Sequence, residues 1–306
     1  MQPVHRALLA VLTLVWSLTA SMPGAFAADG RPLDIVAAEN FYGDVAEQLG
    51  GPDVKVTSIL SNPDQDPHLF EASPTAARAL AGAALVIYNG ADYDPWVQRL
   101  LAASDTPSAR VIVVADLMQT QSGDNPHLWY DPDTMSAVAK ALSSALITAD
   151  PAHAADYQKR LQDFLASLQP LTDKIRHLHD RYAGVPVTAT EPVFAYMAQA
   201  IGLEDRNQRF QRSIMNDTEP SAKDIAAFQD DLKNRRVKAL IYNSQTSDDL
   251  TGRLLDLAKT SGIPVVGVTE TEPADKTYQE WMLDQLTALE KALSSASGDA
   301  ATTTTQ

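Results

Sequence analysis

Short apolar runs alternate with longer stretches of helical spacing along most of the chain. Runs rich in β-branched residues, each followed by a helical stretch, are typical of βαβ units around a parallel sheet. The runs lie at 33–39, 54–60, 84–90 and 111–117 in the first half, and at 186–191, 238–244 and 264–270 in the second. The pattern predicts an α/β protein with two parallel-sheet lobes, at residues 29–150 and 185–294.

A regular apolar stripe occupies the segment between the lobes. Eight apolar residues recur at alternating steps of four and three, which predicts one buried face on a long helix over residues 151–184. They are Tyr157, Leu161, Phe164, Leu168, Leu171, Ile175, Leu178 and Tyr182. A helix from 151 to 182 would be about 48 Å long, enough to bridge two lobes. Pro170 lies inside the pattern, so we expect it to kink the helix or split it in two.

The two ends of the chain differ from its body. His5 and Arg6 precede an apolar segment at 7–20, and Ala-Phe-Ala at 25–27 fits a cleavage site, so residues 1–28 are interpreted as a secretory signal peptide. Residues 295–306 are small and polar, which predicts a disordered tail. We therefore expect an exported protein in the periplasm.

Composition and charge narrow the class of protein. The 306 residues include no cysteine, which excludes disulfides, thiolate metal ligands and a lipid-modified cysteine within this sequence. The formal net charge of −15 argues against nucleic acid and anionic membrane surfaces as partners. An untethered periplasmic protein with a surface favourable to cations fits both observations.

Two histidines stand in closely similar frames. His68 lies in DPHLFEASP at 66–74 and His127 in NPHLWYDP at 125–132. Each follows a predicted strand, and ligands bind beyond the carboxyl ends of parallel strands. A single loop histidine is typically a cap for a backbone group, whereas two in matching frames indicate a shared metal.

Acidic residues end two predicted strands of the second lobe. Glu191 follows the run at 186–190, and Glu270 ends the run at 264–270. The alternative for each is a solvated carboxylate at the end of a strand. Glu272 shares a face with Glu270 by the two-residue period, so spacing alone does not choose between them; we place Glu270 first.

Several segments together resemble a known family. Besides the two histidine frames, they are YNGADYDPWVQRLL at 88–101, EPVFAYMAQAIGL at 191–203, EPSAKDI at 219–225 and TYQEWM at 277–282. The chain resembles the metal-binding receptors of bacterial zinc and manganese ABC importers, over nearly the whole length that follows the signal peptide.

The resemblance implies two α/β lobes joined by one long helix, with one divalent metal ion in the cleft between them. It implies that His68, His127, Glu191 and Glu270 hold the metal, although the fourth ligand of the family is usually aspartate. It also implies a monomeric receptor, not an enzyme, that delivers its metal to an ABC importer permease.

The identity of the metal is open at this stage. Two imidazoles and two carboxylates suit zinc or manganese. Glutamate as the third ligand, where many zinc receptors have histidine and many manganese and iron receptors have glutamate, favours manganese, while the general order of affinities favours zinc. Two other functions fit parts of the pattern: an exported zinc-dependent hydrolase, although HExxH is absent, and a bilobal binder of an organic solute.

Overall fold

The computed structural model describes residues 31–62, 70–104, 110–246 and 248–296. Within them the strands are β1 (Leu33–Glu39), β2 (Val54–Leu60), β3 (Leu85–Tyr88), β4 (Val111–Val113), β5 (Pro186–Ala189), β6 (Glu204–Arg206), β7 (Leu240–Asn243) and β8 (Val265–Val268). The helices of the first lobe are α1 (Asn40–Gly50), α2 (Pro74–Gly82), α3 (Pro95–Ala102), α4 (Val114–Met118) and α5 (Thr134–Ala149). The remaining helices are α6 (Ala154–Ser167), α7 (Gln169–Tyr182), α8 (Ala195–Ile201), α9 (Gln208–Met215), α10 (Ala222–Lys233), α11 (Asp249–Thr260) and α12 (Tyr278–Ala296).

The strands form two four-stranded parallel sheets with the same topology. Their orders are β2-β1-β3-β4 and β6-β5-β7-β8, so in each lobe the second strand lies outside the first and the third and fourth follow on the other side. The two-lobed α/β prediction is confirmed. The carboxyl ends of β1 and β3 in one lobe, and of β5, β7 and β8 in the other, carry the polar residues described below.

Two details of the sheets differ from the sequence prediction. The run at 111–117 is a strand only to Val113, because α4 begins at Val114 and buries Val114 and Ala115. The second difference is the strand β6, which the pattern did not indicate. It consists of Glu204, Asp205 and Arg206 and pairs with β5 through the backbone, so it has no apolar alternation to reveal it.

The bridge between the lobes consists of two consecutive helices. α6 ends at Ser167 and α7 begins at Gln169, with Pro170 in the first turn of α7, where its missing N–H breaks no helical bond. The predicted split at Pro170 is confirmed. The residues of the predicted stripe are buried, except Leu161, which is partly buried.

The last helix holds the two lobes together. α12 packs against α7 and α1, and the Tyr278 hydroxyl donates to the carbonyl oxygen of Trp129 at 2.8 Å. α12 continues to Ala296, two residues into the predicted tail, and residues 297–306 lie outside the described residues, as do 1–28 of the predicted signal peptide. No helix in the described ranges is long and apolar enough to span a membrane.

One hydrophobic core runs through both lobes. The Phe41 and Trp129 rings of the first lobe have centroids 4.6 Å apart. Tyr130 brings the second lobe into the same cluster, with its ring centroid 5.3 Å from that of Phe194 and 5.9 Å from that of Trp281. This shared core sets the two sheets so that their carboxyl ends face each other across the cleft.

Candidate metal site in the interlobe cleft

His127 is a buried imidazole with one ring nitrogen engaged. Nδ1 lies 2.6 Å from Oδ1 of Asn125, and that oxygen also accepts from the His127 backbone N–H. The amide orientation of Asn125 is fixed because its Nδ2 donates to the Pro192 carbonyl oxygen at 2.8 Å. Nδ1 therefore carries the proton, and Nε2 presents its lone pair. Within the described residues, Nε2 is buried without a hydrogen-bond partner, the arrangement expected of a metal-ligating histidine.

The loop that carries His127 is fixed by Asn89, which follows β3. Asn89 Nδ2 donates to the Pro126 carbonyl oxygen at 2.8 Å, and its Oδ1 accepts from the Tyr42 hydroxyl at 2.7 Å. The Asn89 backbone N–H in turn donates to the Asp94 carboxylate at 2.7 Å. The imidazole is therefore held from both sides, by Asn125 through its ring and by Asn89 through the preceding residue.

Glu270 approaches His127 from the second lobe. Its Oε2 lies 3.6 Å from Nε2 of His127 and accepts from the Tyr93 hydroxyl at 3.0 Å. Both His127 and Glu270 are fully buried. The backbone N–H of Glu270 donates to Oε1 of Gln245 at 2.5 Å, which fixes the chain just beyond β8.

Glu191 joins the same group through Asn243, the last residue of β7. Asn243 Nδ2 donates to Oε1 of Glu270 at 2.5 Å and also to Oε1 of Glu191.

A cavity of about 640 Å³ opens beside Glu191. Four further carboxylates line it, together with Arg253: Asp217, Glu219, Asp248 and Asp249.

Glu272 belongs to a different group of carboxylates. Its backbone N–H donates to Asn40 Oδ1 at 3.1 Å, and its carbonyl oxygen accepts from Asn40 Nδ2 at 2.6 Å, which holds it against α1. Burial, together with the charges of Asp44, Glu47 and Glu280, raises the pKa of the Glu272 carboxyl to about 9. The strand ends at Val268, so the two-residue period that placed Glu270 and Glu272 on one face no longer applies.

Of the four predicted ligands, His127, Glu191 and Glu270 lie among the described residues, and His68 lies outside them, in the segment 63–69. The structure places His127 beside Glu270 and connects Glu191 to Glu270 through one amide. Within the described part of the chain, no three histidine or acidic side chains form a complete metal site by themselves. The set of four ligands therefore remains a prediction.

Sequence reasoning missed Tyr93, Asn125 and Asn243 as parts of this site. Asn243 ends a parallel strand at the same sheet edge as Glu191, so the strand-end rule could have found it. Tyr93 and Asn125 lie in segments that carried the family resemblance, but neither has the side chain of a typical metal ligand.

Glu39, at the end of β1, is a further buried acid near this edge. Within the described residues neither oxygen of its carboxyl group has a hydrogen-bond partner. Burial raises the pKa of Glu39 well above its ordinary value, and the charge of Asp94 raises it further. Burial likewise raises the pKa of Asp94 to about 6, although the backbone N–H of Gly90 opposes this rise.

Known proteins share this architecture and much of the sequence pattern. The family model described as ZnuA, the periplasmic component A of the zinc-uptake complex, matches residues 35–292. The manganese-binding lipoprotein MntA of Bacillus subtilis is 24% identical over 304 residues, covering 93% of this chain and 97% of that protein. The iron ABC transporter substrate-binding lipoprotein MtsA of Streptococcus pyogenes serotype M1 is 24% identical over 301 residues, with 90% and 95% covered.

A solved structure has the same fold. The periplasmic zinc-binding protein TroA of Treponema pallidum superposes with a TM-score of 0.73 at 21% identity, over 86% of this chain and 99% of that one. At this identity the likeness establishes the fold, and the family assignment rests on the sequence model. Because that model spans most of the chain, the protein belongs to the ZnuA family of periplasmic zinc-uptake components.

Proposed function

We propose that this protein captures one divalent transition metal ion, zinc or manganese, in the interlobe cleft and delivers it to the permease of an ABC importer. The proposal is based on the proximity of His127 Nε2 to Glu270 Oε2. These two atoms are buried, belong to different lobes and lie 3.6 Å apart.

The spacing of this pair suits a shared metal ion. Two ligand atoms bound tetrahedrally at about 2.1 Å lie roughly 3.4 Å from each other. The 3.6 Å between Nε2 and Oε2 is close to that value, so an ion could bind both with little movement of either side chain. Glu191, connected to Glu270 through Asn243, and His68, in the segment 63–69, are proposed to complete the set.

Ligands from both lobes couple binding to the arrangement of the lobes. His127 belongs to the first lobe, and Glu191 and Glu270 belong to the second, so a bound ion stabilises the closed arrangement that brings them together. A permease can then distinguish the loaded receptor from the metal-free one by its shape.

The names of the relatives include manganese, iron and zinc, so they leave the choice of metal open. A carboxylate-rich set favours manganese, and the general affinity order favours zinc. Competition between the two metals for stripped protein decides which one this site prefers.

We place the protein in the periplasm as a monomeric receptor without enzymatic activity or nucleic-acid binding, in keeping with its family and its net charge of −15. Relatives are named as lipoproteins, whereas this sequence contains no cysteine to carry a lipid. We therefore propose that it is not anchored by lipidation of its own sequence.

Metal content and calorimetry on purified, stripped protein test the proposal. The expected result is one tightly bound zinc or manganese ion per chain, with binding abolished in His127→Ala. His177→Ala is the matched control, because His177 lies on the exposed side of α7 and pairs with Glu290. A protein that binds neither metal, or that binds equally well without the His127 imidazole, would contradict the proposal.

A further inference from the structure

The amide of Asn243 contacts both proposed carboxylate ligands of the second lobe. Its Nδ2 donates to Oε1 of Glu191 and, at 2.5 Å, to Oε1 of Glu270. Its Oδ1 accepts from the backbone N–H of Gln245 at 3.0 Å, which fixes the orientation of the amide. A flipped amide would set its oxygen against two carboxylates. Asn243 is itself buried, so water does not compete for these bonds.

These bonds determine which oxygen of Glu270 faces His127. Oε1 is engaged by Asn243, while Oε2 lies 3.6 Å from Nε2 of His127. Tyr93 donates to the same Oε2 and leaves it directed towards the cleft. Each carboxylate oxygen has two lone pairs, so Oε2 can accept from Tyr93 and still contact an ion beside Nε2. Oε1 is directed to the Asn243 amide instead, so this orientation favours coordination through Oε2 alone.

The number of oxygens offered affects the choice of metal. Four single-atom ligands give the four-coordinate tetrahedral site that zinc adopts. Manganese favours six-coordinate oxygen-rich sites, which two carboxylates help to complete when each binds through both oxygens. A donor that occupies one oxygen of each carboxylate therefore disfavours manganese relative to zinc.

We propose that Asn243 is a specificity-determining positioning residue of the metal site. It holds Glu191 and Glu270 together before the metal arrives and restricts each to one-oxygen coordination, which favours zinc over manganese. This inference rests on the proposed metal-binding function and assigns a direction to the selectivity that the ligand set alone leaves open.

The test compares zinc and manganese affinities of stripped native protein and Asn243→Ala by competition with a chelator of known affinity. Loss of a hydrogen bond to a metal-ligating side chain typically lowers metal affinity about 10- to 100-fold. We expect zinc affinity to fall by that factor and manganese affinity to fall less, so that the preference for zinc decreases by the ratio of the two losses, up to about 100-fold.

Gln211→Ala is the matched control. Gln211 is a buried amide of the same lobe whose Nε2 donates twice, to Asp205 and to the Arg206 carbonyl oxygen, both at 2.8 Å. It lies outside the proposed ligand set, so its removal should leave the ratio of zinc to manganese affinity unchanged. Asn243→Ser, a smaller perturbation of the strand end, provides the same comparison if Asn243→Ala fails to fold.

Cobalt(II) supplies a readout that a purely structural role would not change. Cobalt absorbs visible light strongly when it is four-coordinate and weakly when it is six-coordinate. We expect the native protein to give the strong spectrum and Asn243→Ala a weaker one.

Equal losses of zinc and manganese affinity with an unchanged cobalt spectrum would overturn the inference, as would unchanged affinities. Failure of the native protein to bind either metal is a different outcome, because it contradicts the proposed function before Asn243 is tested.

Discussion

Nε2 of His127 and Oε2 of Glu270 lie 3.6 Å apart, although the two residues come from different lobes and are far apart in the chain. Tyr93 donates to the same oxygen of Glu270, and Asn125 engages the other nitrogen of His127. Each of the two facing groups is therefore held in place by a neighbouring side chain of its own.

Replacing Glu270 should have a different effect from replacing Glu272. Glu270→Gln should reduce metal affinity by at least about tenfold, because it removes a charged ligand beside His127. Glu272→Gln should leave affinity unchanged, since Glu272 lies among Asp44, Glu47 and Glu280. Calorimetric titration of both variants with zinc and manganese measures the difference. Loss of binding in Glu272→Gln alone would make Glu272 the ligand instead.

Metal affinity should fall as the pH is lowered from neutral into the acid range. An imidazole must be neutral to bind a metal, so protons compete with the ion for Nε2 of His127. Titrations at several pH values, in buffers that do not bind the metal, measure this competition. An affinity that is constant across this range would contradict imidazole ligation.

Loss of the Asn125 side chain should weaken the site without removing a ligand. Asn125→Ala deletes the acceptor at His127 Nδ1 and the bond to the Pro192 carbonyl oxygen, so the imidazole loses its fixed orientation. We expect an affinity about 10- to 100-fold lower, measured by chelator competition. Asn234→Ala, at an exposed residue after α10, is the control and should bind like the native protein.

Glu39→Gln should stabilise the protein, and more so at high pH. Burial and the charge of Asp94 raise the pKa of Glu39 in the folded state. The contribution of Glu39 to the stability of the folded state is therefore fully present below its unfolded pKa of about 4.3, and it is lost as the pH rises through the folded pKa. Glutamine stays neutral and avoids this loss.

Thermal unfolding at pH 5 and pH 8 measures the effect of Glu39→Gln. We expect Tm to rise by about 2 to 4 °C at pH 8, the shift that roughly 1 kcal/mol gives in a chain of this size, and to change less at pH 5. Glu47→Gln, at an exposed position of α1, should change Tm little at either pH. An equal gain at both pH values would show that ionisation of Glu39 is not the cause.

The local pattern of apolar residues was sufficient to predict most of the architecture. β1 and β2 have the predicted bounds because each consists of a run rich in β-branched and other apolar residues, although β1 lies inside the sheet and β2 at its edge. β6 was not predicted, because it is an edge strand of three polar residues that forms by pairing with β5. Its own residues carry no apolar pattern that indicates a strand. The end of β4 at Val113 was likewise set by the burial of α4.

The sequence by itself determined the two parallel-sheet lobes, the interruption of the bridge at Pro170 and the placement of Glu191 and Glu270 just beyond strand ends. These features follow from periodicity and backbone chemistry, which act over a few residues. Which side chains meet across the cleft was decided only by the tertiary structure.

Three relationships were decided by the tertiary structure alone: His127 lies beside Glu270, Glu272 is held against α1, and Asn243 lies between two carboxylates. Each depends on how the chain leaves its strand and on how the shared core sets one lobe against the other. Contacts of this kind join residues far apart in the chain, so no local spacing encodes them.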